Sequence, residues 1–311
     1  MYSPVVIFGY NRPEKFLAAV SSLSRNQLAK LTELFVFIDG PKTIHDIPRV
    51  NAVNEIAQKI SGFKDIHIIS HSTNLGLANS IRHGLSFVLK NNHSVIVIED
   101  DLIVSDIFLD YMNSGLWHYS NEPRVASIQG YQYPIAEIFH EPVALKGADC
   151  WGWATWRDRW ESVVFDSDQL YKNLKSRGLD YEFDLDKSMH YMIMLENERD
   201  KLIDSWAICW HASMFLQDRV SIYPGQTLVI NTGFDGKGTH KTRTKMFDTK
   251  LGYWNIETEW PEPKENYNYR VSLIDFYKNN YHTKDKLSFR LKKLIVRTVE
   301  KLNLYSDKET I

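Results

Sequence analysis

Glu99, Asp100 and Asp101 set three carboxylates side by side, directly after the apolar run of residues 95–98. An uninterrupted apolar run is the pattern of a strand buried on both faces, so the charges are predicted at a strand end. Adjacent carboxylates oppose one another's ionisation unless something neutralises them. A divalent cation, which prefers oxygen ligands, is one such partner. The other reading is an acidic turn that caps the next helix, where the helix dipole favours Asp and Glu. Polar residues end two earlier apolar runs as well: Tyr10, Asn11 and Arg12 follow SPVVIFG, and Asp39 follows ELFVFI.

The elements that must position these residues alternate through the first hundred positions. Strands are predicted over 3–10, 33–40, 65–70 and 94–99, with helices opening at Pro13 and spanning 51–60 and 74–91. Such alternation is the signature of an α/β fold, a mostly parallel sheet with helices on its faces. Ligands of open α/β sheets bind beyond the carboxyl ends of the strands. Tyr10, Asn11, Arg12, Asp39 and the acidic triplet all fall there, which favours a site over a capping turn. Past residue 105 the rhythm breaks. A helix is predicted over 107–120, a strand and turn over 124–134, and helical structure over the charged segment 166–203. Another helix follows over 204–218 and a strand over 219–225. GADCWGWATWRDRW (147–160) is dense in Trp and Gly, NTGFDGKGTH (231–240) is a glycine-rich loop, and residues beyond about 260 read as an appendage.

Bulk properties exclude several classes. A hydrophobic fraction of 43% supports an ordinary core and argues against wholesale disorder. A net charge of −2 argues against a nucleic-acid-binding surface over the whole molecule. The two cysteines, Cys150 and Cys209, have no metal-type spacing and suit a reducing cytoplasm. The N-terminus lacks a signal-peptide pattern, and no apolar run reaches the roughly 18 residues of a spanning helix. The expectation is a cytoplasmic protein, peripheral at most to the inner face of a membrane. Residues 284–301 carry seven basic side chains against two acidic ones, +5, leaving −7 for the rest. With Leu287, Leu291, Leu294, Ile295, Val299 and Leu302 at helical spacing, 284–302 reads as a basic amphipathic helix. It is either a membrane-surface contact or a terminal helix packed on the body.

The order FGYNRP, FIDG, NLGLANSIR, VIVIEDD resembles the nucleotide-sugar-binding half of GT-A-fold glycosyltransferases. It is most similar to bacterial family-2-type enzymes and the N-acetylglucosaminyltransferase I group. The likeness continues through the Trp/Gly segment, DSW and NTGFDGKGTH, covering roughly residues 4 to 245. The resemblance implies a metal-dependent, inverting transfer from a UDP-sugar, UDP-N-acetylglucosamine being slightly favoured. The acceptor it implies is a saccharide or lipid-linked oligosaccharide, in surface polysaccharide or glycan biosynthesis. It implies that Glu99, Asp100 and Asp101 hold Mn²⁺ or Mg²⁺ against the diphosphate, with Asp101 the direct ligand. Tyr10, Asn11, Arg12 and Asn74 match nucleotide-binding positions, Asp39 matches a residue on the uracil edge, and Arg82 a basic position facing the donor. Asp39 also reads as a simple turn before Gly40, and Arg82 as a surface arginine.

The same resemblance implies a carboxylate base for the acceptor hydroxyl. Asp204 in IDSWAI matches, although Ser205 stands where the family's pattern places the acid itself directly before Trp; Asp149 in GADCWGW is the other candidate. Trp151 and Trp153 read as sugar-stacking or core residues, with core packing favoured for Trp153 and Trp156. His240 matches a third metal ligand of some members, in a loop hinged at Gly233, Gly236 and Gly238, with Lys237 or Lys241 near the diphosphate. The implied organisation is a nucleotide-sugar-binding half (1–105), an acceptor-binding and catalytic half (106–260) and a C-terminal appendage (261–311). Two other classes remain at this level. One is a non-catalytic carbohydrate- or nucleotide-binding protein on the same scaffold. The other is a sugar-phosphate nucleotidyltransferase, whose glycine- and arginine-rich signature after the first strand is missing from FGYNRPE.

Overall fold

Five buried residues, VVIFG, form β1 (Val5–Gly9) in the computed structural model, which describes residues 2–236, 243–255 and 259–280. Pro13 then opens α1 (Pro13–Ser24) in a position where its missing N–H costs nothing, and Phe16, Ala19, Val20 and Leu23 turn one stripe inward. The alternation continues through β2 (Glu33–Ile38), α2 (Ile47–Ala57), β3 (Asp65–Ser70), α3 (Leu77–Leu89) and β4 (Ser94–Glu99). β1 lies between β2 and β4, parallel to both, and β3 pairs parallel with β2.

The second half adds to the same sheet. In chain order come β5 (Leu102–Val104), α4 (Phe108–His118), β6 (Val125–Gln129), β7 (Val143–Lys146), β8 (Trp153–Trp156) and α5 (Arg157–Glu161). Then follow α6 (Ser167–Ser176), α7 (Asp180–Phe183), α8 (Tyr191–Arg199), α9 (Trp206–Leu216), β9 (Val220–Tyr223), β10 (Val229–Asn231) and α10 (Tyr267–Asn280). The eight-stranded sheet has the order β3-β2-β1-β4-β8-β6-β9-β7, while β5 and β10 form a separate antiparallel pair. Four of the neighbouring pairs are parallel; β8 runs antiparallel to both β4 and β6, and β7 to β9. The fold is therefore α/β with a mostly parallel sheet.

Both faces of the central strands are covered, as continuous apolar runs require. Val5 and Ile7, Leu34, Val36 and Ile38, and Ile96 and Ile98 pack with α1, α2 and α4. The alternate residues Val6, Phe8, Phe37, Val95 and Val97 pack with α3 and with Trp206, Trp210 and Met214 of α9. A smaller core joins α6, α7, α8 and the outer face of α9 through Leu170, Phe183, Leu195 and Phe215. No helix among the described residues is long and apolar enough to cross a membrane. The segment 284–302 lies outside the described residues.

Several elements depart from expectation. α2 begins at Ile47, not at 51: Thr43 and Asp46 form a reciprocal capping box on a 3-10 turn, Ile44–Asp46, that runs directly into it, and Pro48 occupies its first turn. The Trp/Gly segment contains a fully buried strand, β8, with Trp153 stacked on Trp206 at 5.6 Å. The described part of the segment beyond 260 is integral to the fold: α10 buries Tyr269, Leu273, Ile274, Phe276 and Tyr277 in the main core.

Asp184 follows α7 and accepts a hydrogen bond from the Met192 N–H at 2.8 Å, satisfying a free donor of the first turn of α8. Burial pushes this carboxyl up to about 6. The folded chain thus binds the proton more tightly than the unfolded one. The stability this contributes is complete below the ordinary carboxylate range and is lost as pH rises through about 6. Asp184→Asn keeps the acceptor and removes the charge. At pH 8 it is expected to be more stable than the parent by about 1 kcal/mol, after allowance for solvent screening. The gain should vanish at pH 4; equal melting temperatures at both pH values would contradict the assignment.

Candidate functional site

The parallel register brings the polar strand ends to one edge. Phe8 lies opposite Glu99, Gly9 opposite Ile38, and Ile38 opposite Ser70, so Tyr10–Arg12, Asp39, His71–Asn74 and Glu99–Asp101 emerge together. β8 runs the other way, with Val97 opposite Trp153. The residues that precede it, Asp149, Cys150 and Trp151, therefore meet the same edge.

At its centre Arg12 faces two of the three acids. Its Nη1 lies 2.9 Å from Asp101 Oδ2 and its Nη2 3.2 Å from Asp100 Oδ1. One guanidinium does not balance three carboxylates. Burial first, then the charges of Asp101 and Asp100, push the Glu99 carboxyl up to about 8, against the pull of Arg12. Burial likewise pushes Asp100 up to about 7, although Arg12 opposes it and the Tyr10 N–H donates to it. Burial pushes the Cys150 thiol well above its ordinary range; the charges of Asp149, Glu99 and Asp101 add to this, so the thiol lies within electrostatic reach of all three.

Asp101 is held by more than its side chain. Its carbonyl accepts hydrogen bonds from the N–H and Oγ1 of Thr232, both at 2.8 Å. Lys15 donates to the Thr232 carbonyl at 2.7 Å and pairs with Asp235 at 2.8 Å, tying the start of the glycine-rich loop to α1. A Cβ on Gly233 would stand 2.5 Å from Asp101 Oδ2, so only glycine lets the loop cross the carboxylate this closely. His240, Lys237 and Lys241 lie outside the described residues, as does Gly238.

The donor chemistry of the cluster fits a hard divalent cation: oxygen ligands only, in excess of the positive charge beside them. Among the described residues no three His, Cys, Asp or Glu side chains already converge as a cation cage. Arg12 draws Asp100 and Asp101 onto itself instead.

Other predicted residues are engaged within the chain. Asp39 is buried and its two oxygens accept four hydrogen bonds: Oδ1 from the N–H groups of Gly40 (2.9 Å) and Leu75 (2.8 Å), Oδ2 from Asn74 Nδ2 (2.9 Å) and the Gly76 N–H (3.0 Å). That uses the carboxylate's acceptor sites to position the turn that enters α3. Asn74 divides its amide between Asp39 and the Gly40 carbonyl. Asp39→Ala orphans these donors and is expected to cost about 3 kcal/mol in chemical denaturation; a cost below about 1 kcal/mol would show that the turn holds without it. Asn11 donates to Asp46 at 2.8 Å, and the Tyr10 hydroxyl accepts from the Lys42 N–H at 3.0 Å. Arg82 lies over the Phe165 ring at 4.1 Å and near Glu198.

The two candidate bases differ sharply. Asp149 Oδ2 accepts a short hydrogen bond from the Tyr133 hydroxyl, and Oδ1 accepts from the Cys150 N–H at 2.8 Å. Asp204 is exposed beside the entry to α3, where a Cβ on Gly76 would stand 3.2 Å from its Oδ2. Among the described residues its carboxylate accepts no hydrogen bond; the neighbouring Ser205 N–H goes to Glu198 at 2.6 Å. Tyr133, Lys15, Thr232 and Glu198 are site residues that sequence reasoning missed, and no local pattern marks them.

No family model matches this sequence, and no curated protein does. Among solved structures the chain is similar to glucosyl-3-phosphoglycerate synthase from Mycobacterium tuberculosis, solved with Mn²⁺, UDP and glucosyl-3-phosphoglycerate. That match has 14% identity over 58% of this chain and 67% of that one, with a TM-score of 0.35. It is similar to a Pyrobaculum calidifontis mannosyltransferase solved with GDP-Man and Mn²⁺, at 11% identity over 70% of each chain and a TM-score of 0.38. It is similar to S. aureus TarS at 17% identity over 46% of this chain, with a TM-score of 0.31, and spans 25% of the TarS chain.

Proposed function

We propose that this chain is a metal-dependent, inverting glycosyltransferase that moves a sugar from a UDP-sugar to a hydroxyl of a saccharide acceptor. The observation that carries the reading is the meeting of Glu99, Asp100 and Asp101 with Arg12 at the carboxyl ends of β4 and β1, with more negative charge than one guanidinium balances. Glu99, Asp100 and Asp101 would hold Mn²⁺ or Mg²⁺, which when bound supplies neutralisation for the charge growing on the departing diphosphate. Tyr10, Asn11 and Arg12 lie where a nucleotide would approach the strand ends. Asp39 and Asn74 act through the turn that they hold.

In the transfer, Asp204 or Asp149 takes the proton of the acceptor hydroxyl. The acceptor oxygen bonds to the anomeric carbon as the bond from that carbon to the diphosphate oxygen breaks on the opposite face. UDP-N-acetylglucosamine is the favoured donor through the sequence resemblance to the N-acetylglucosaminyltransferase I group. A lipid-linked oligosaccharide for a surface polysaccharide suits the basic segment 284–302, through which peripheral contact with the inner membrane face is proposed. Calorimetric titration with UDP, GDP, CMP, dTDP and their sugar forms, with Mn²⁺ and then EDTA, tests the reading. UDP binding that requires the cation is expected. A folded protein that binds none of these nucleotides would overturn it.

A further inference from the structure

Arg12 engages carboxylate oxygens of Asp100 and Asp101 that a cation held by the acidic triplet would need. Its guanidinium spans Asp100 and Asp101 at 3.2 and 2.9 Å, leaving those oxygens turned to it. Its backbone is fixed, since the Arg12 carbonyl accepts the Phe16 N–H at 2.9 Å and begins α1. Its side chain nonetheless keeps 23% of its surface open, so the long stem has a route to swing away. Lys15, one turn further along α1, adds its charge near Asp100, but its ammonium is bonded to Thr232 and Asp235 and only Arg12 makes ion pairs with Asp100 and Asp101 among the described residues.

We propose that Arg12 is the resident counter-ion of the acidic triplet, and that a divalent cation gains the triplet by displacing the Arg12 guanidinium from Asp100 and Asp101. This rests on the metal-dependent reading above and adds that Arg12 sets the concentration of cation needed to fill the site. A bound guanidinium neutralises the acids in the free protein and opposes an incoming dication, both by occupying its ligands and by like charge. Metal affinity is then a difference between two cations' claims on the same oxygens.

The test is calorimetric titration of the full chain with Mn²⁺ alone, comparing the parent, Arg12→Gln and Arg12→Lys. Arg12→Gln is expected to bind Mn²⁺ about tenfold more tightly than the parent. Without the cation it should melt below the parent, and Mn²⁺ should raise its melting temperature by more. Arg12→Lys, a point charge unable to bridge two carboxylates as a fork does, should fall between them. If Arg12→Gln does not fold without metal, the lysine variant carries the comparison, and parent-like affinity in it overturns the inference. Equal or weaker Mn²⁺ binding by Arg12→Gln overturns it while leaving the glycosyltransferase reading intact. Binding by Arg12→Gln but not by the parent supports it and removes the metal-dependent reading. Binding by none of the three removes both.

Discussion

Asp101→Asn is expected to abolish cation-dependent UDP binding and to lower the rate of sugar transfer by about three orders of magnitude, roughly 4 kcal/mol of barrier. The substitution preserves shape. The Asp101 carbonyl stays under Thr232, the pairing of Leu102 with Asn231 is untouched, and the amide fills the space beneath Gly233. What disappears is one negative charge from a group of three that share a single guanidinium. That charge helps to push Glu99 up to about 8, so its removal relieves Glu99 and offsets the weakened contact with Arg12, which keeps its pair with Asp100. The cation-free variant should therefore melt no lower than the parent, while the stabilisation that Mn²⁺ brings to the parent should be missing. Loss of stability without the cation would mean that Asp101 is structural; metal-dependent UDP binding within a few-fold of the parent would remove it from the ligand set.

The opposite pattern marks residues whose chemistry was legible but whose partners were not. β1 to β4 could be read because each is a short apolar run bounded by turn residues, and the strand ends followed from parallel pairing. The turn DG after β2 announced Asp39. It did not announce that residues 74–76 return to claim both oxygens, since a contact across some 35 residues leaves no local trace. Arg12 illustrates the same limit: its place after β1 was visible, its bridge across Asp100 and Asp101 depends on the pairing of β1 with β4.

Elements in the second half were harder for a different reason. WATW reads as aromatic packing, and it does pack, but as a strand inserted antiparallel between β4 and β6. Only that insertion turns Asp149 toward the site. The capping box at Thr43 and Asp46 was written in the sequence and marks where α2 is prepared, yet helical periodicity draws attention to residues further on. α10 does bury a stripe, Tyr269, Leu273, Phe276 and Tyr277 at helical spacing, but its tyrosines and the polar residues between them make that stripe only weakly apolar. The boundary read near 260 sets apart a helix, α10, that packs into the main core.

The choice between the two bases yields the other large effect. Asp204→Asn is expected to lower kcat by about 10³-fold with little change in UDP affinity, whereas Asp149→Asn should cost roughly tenfold or less. A base must offer a lone pair to the incoming hydroxyl. Asp149 keeps a lone pair on each oxygen but is already engaged at both: Tyr133 donates to one oxygen and the Cys150 N–H to the other, which makes it the weaker base. Its work is to hold the mouth of β8 against Tyr133, whose ring is buried beside Tyr277 of α10. Among the described residues Asp204 accepts no hydrogen bond, and its neighbours in the chain and in space are held. Ser205 is anchored to Glu198 behind it, and Gly76, itself held by Asp39, lies in front. Single-turnover rates at saturating donor separate the chemical step from binding. A large loss in Asp149→Asn with a small one in Asp204→Asn would reverse the roles and require the acceptor to displace Tyr133 from Asp149. Equal, small losses in both would mean that the proton leaves through a group outside this pair.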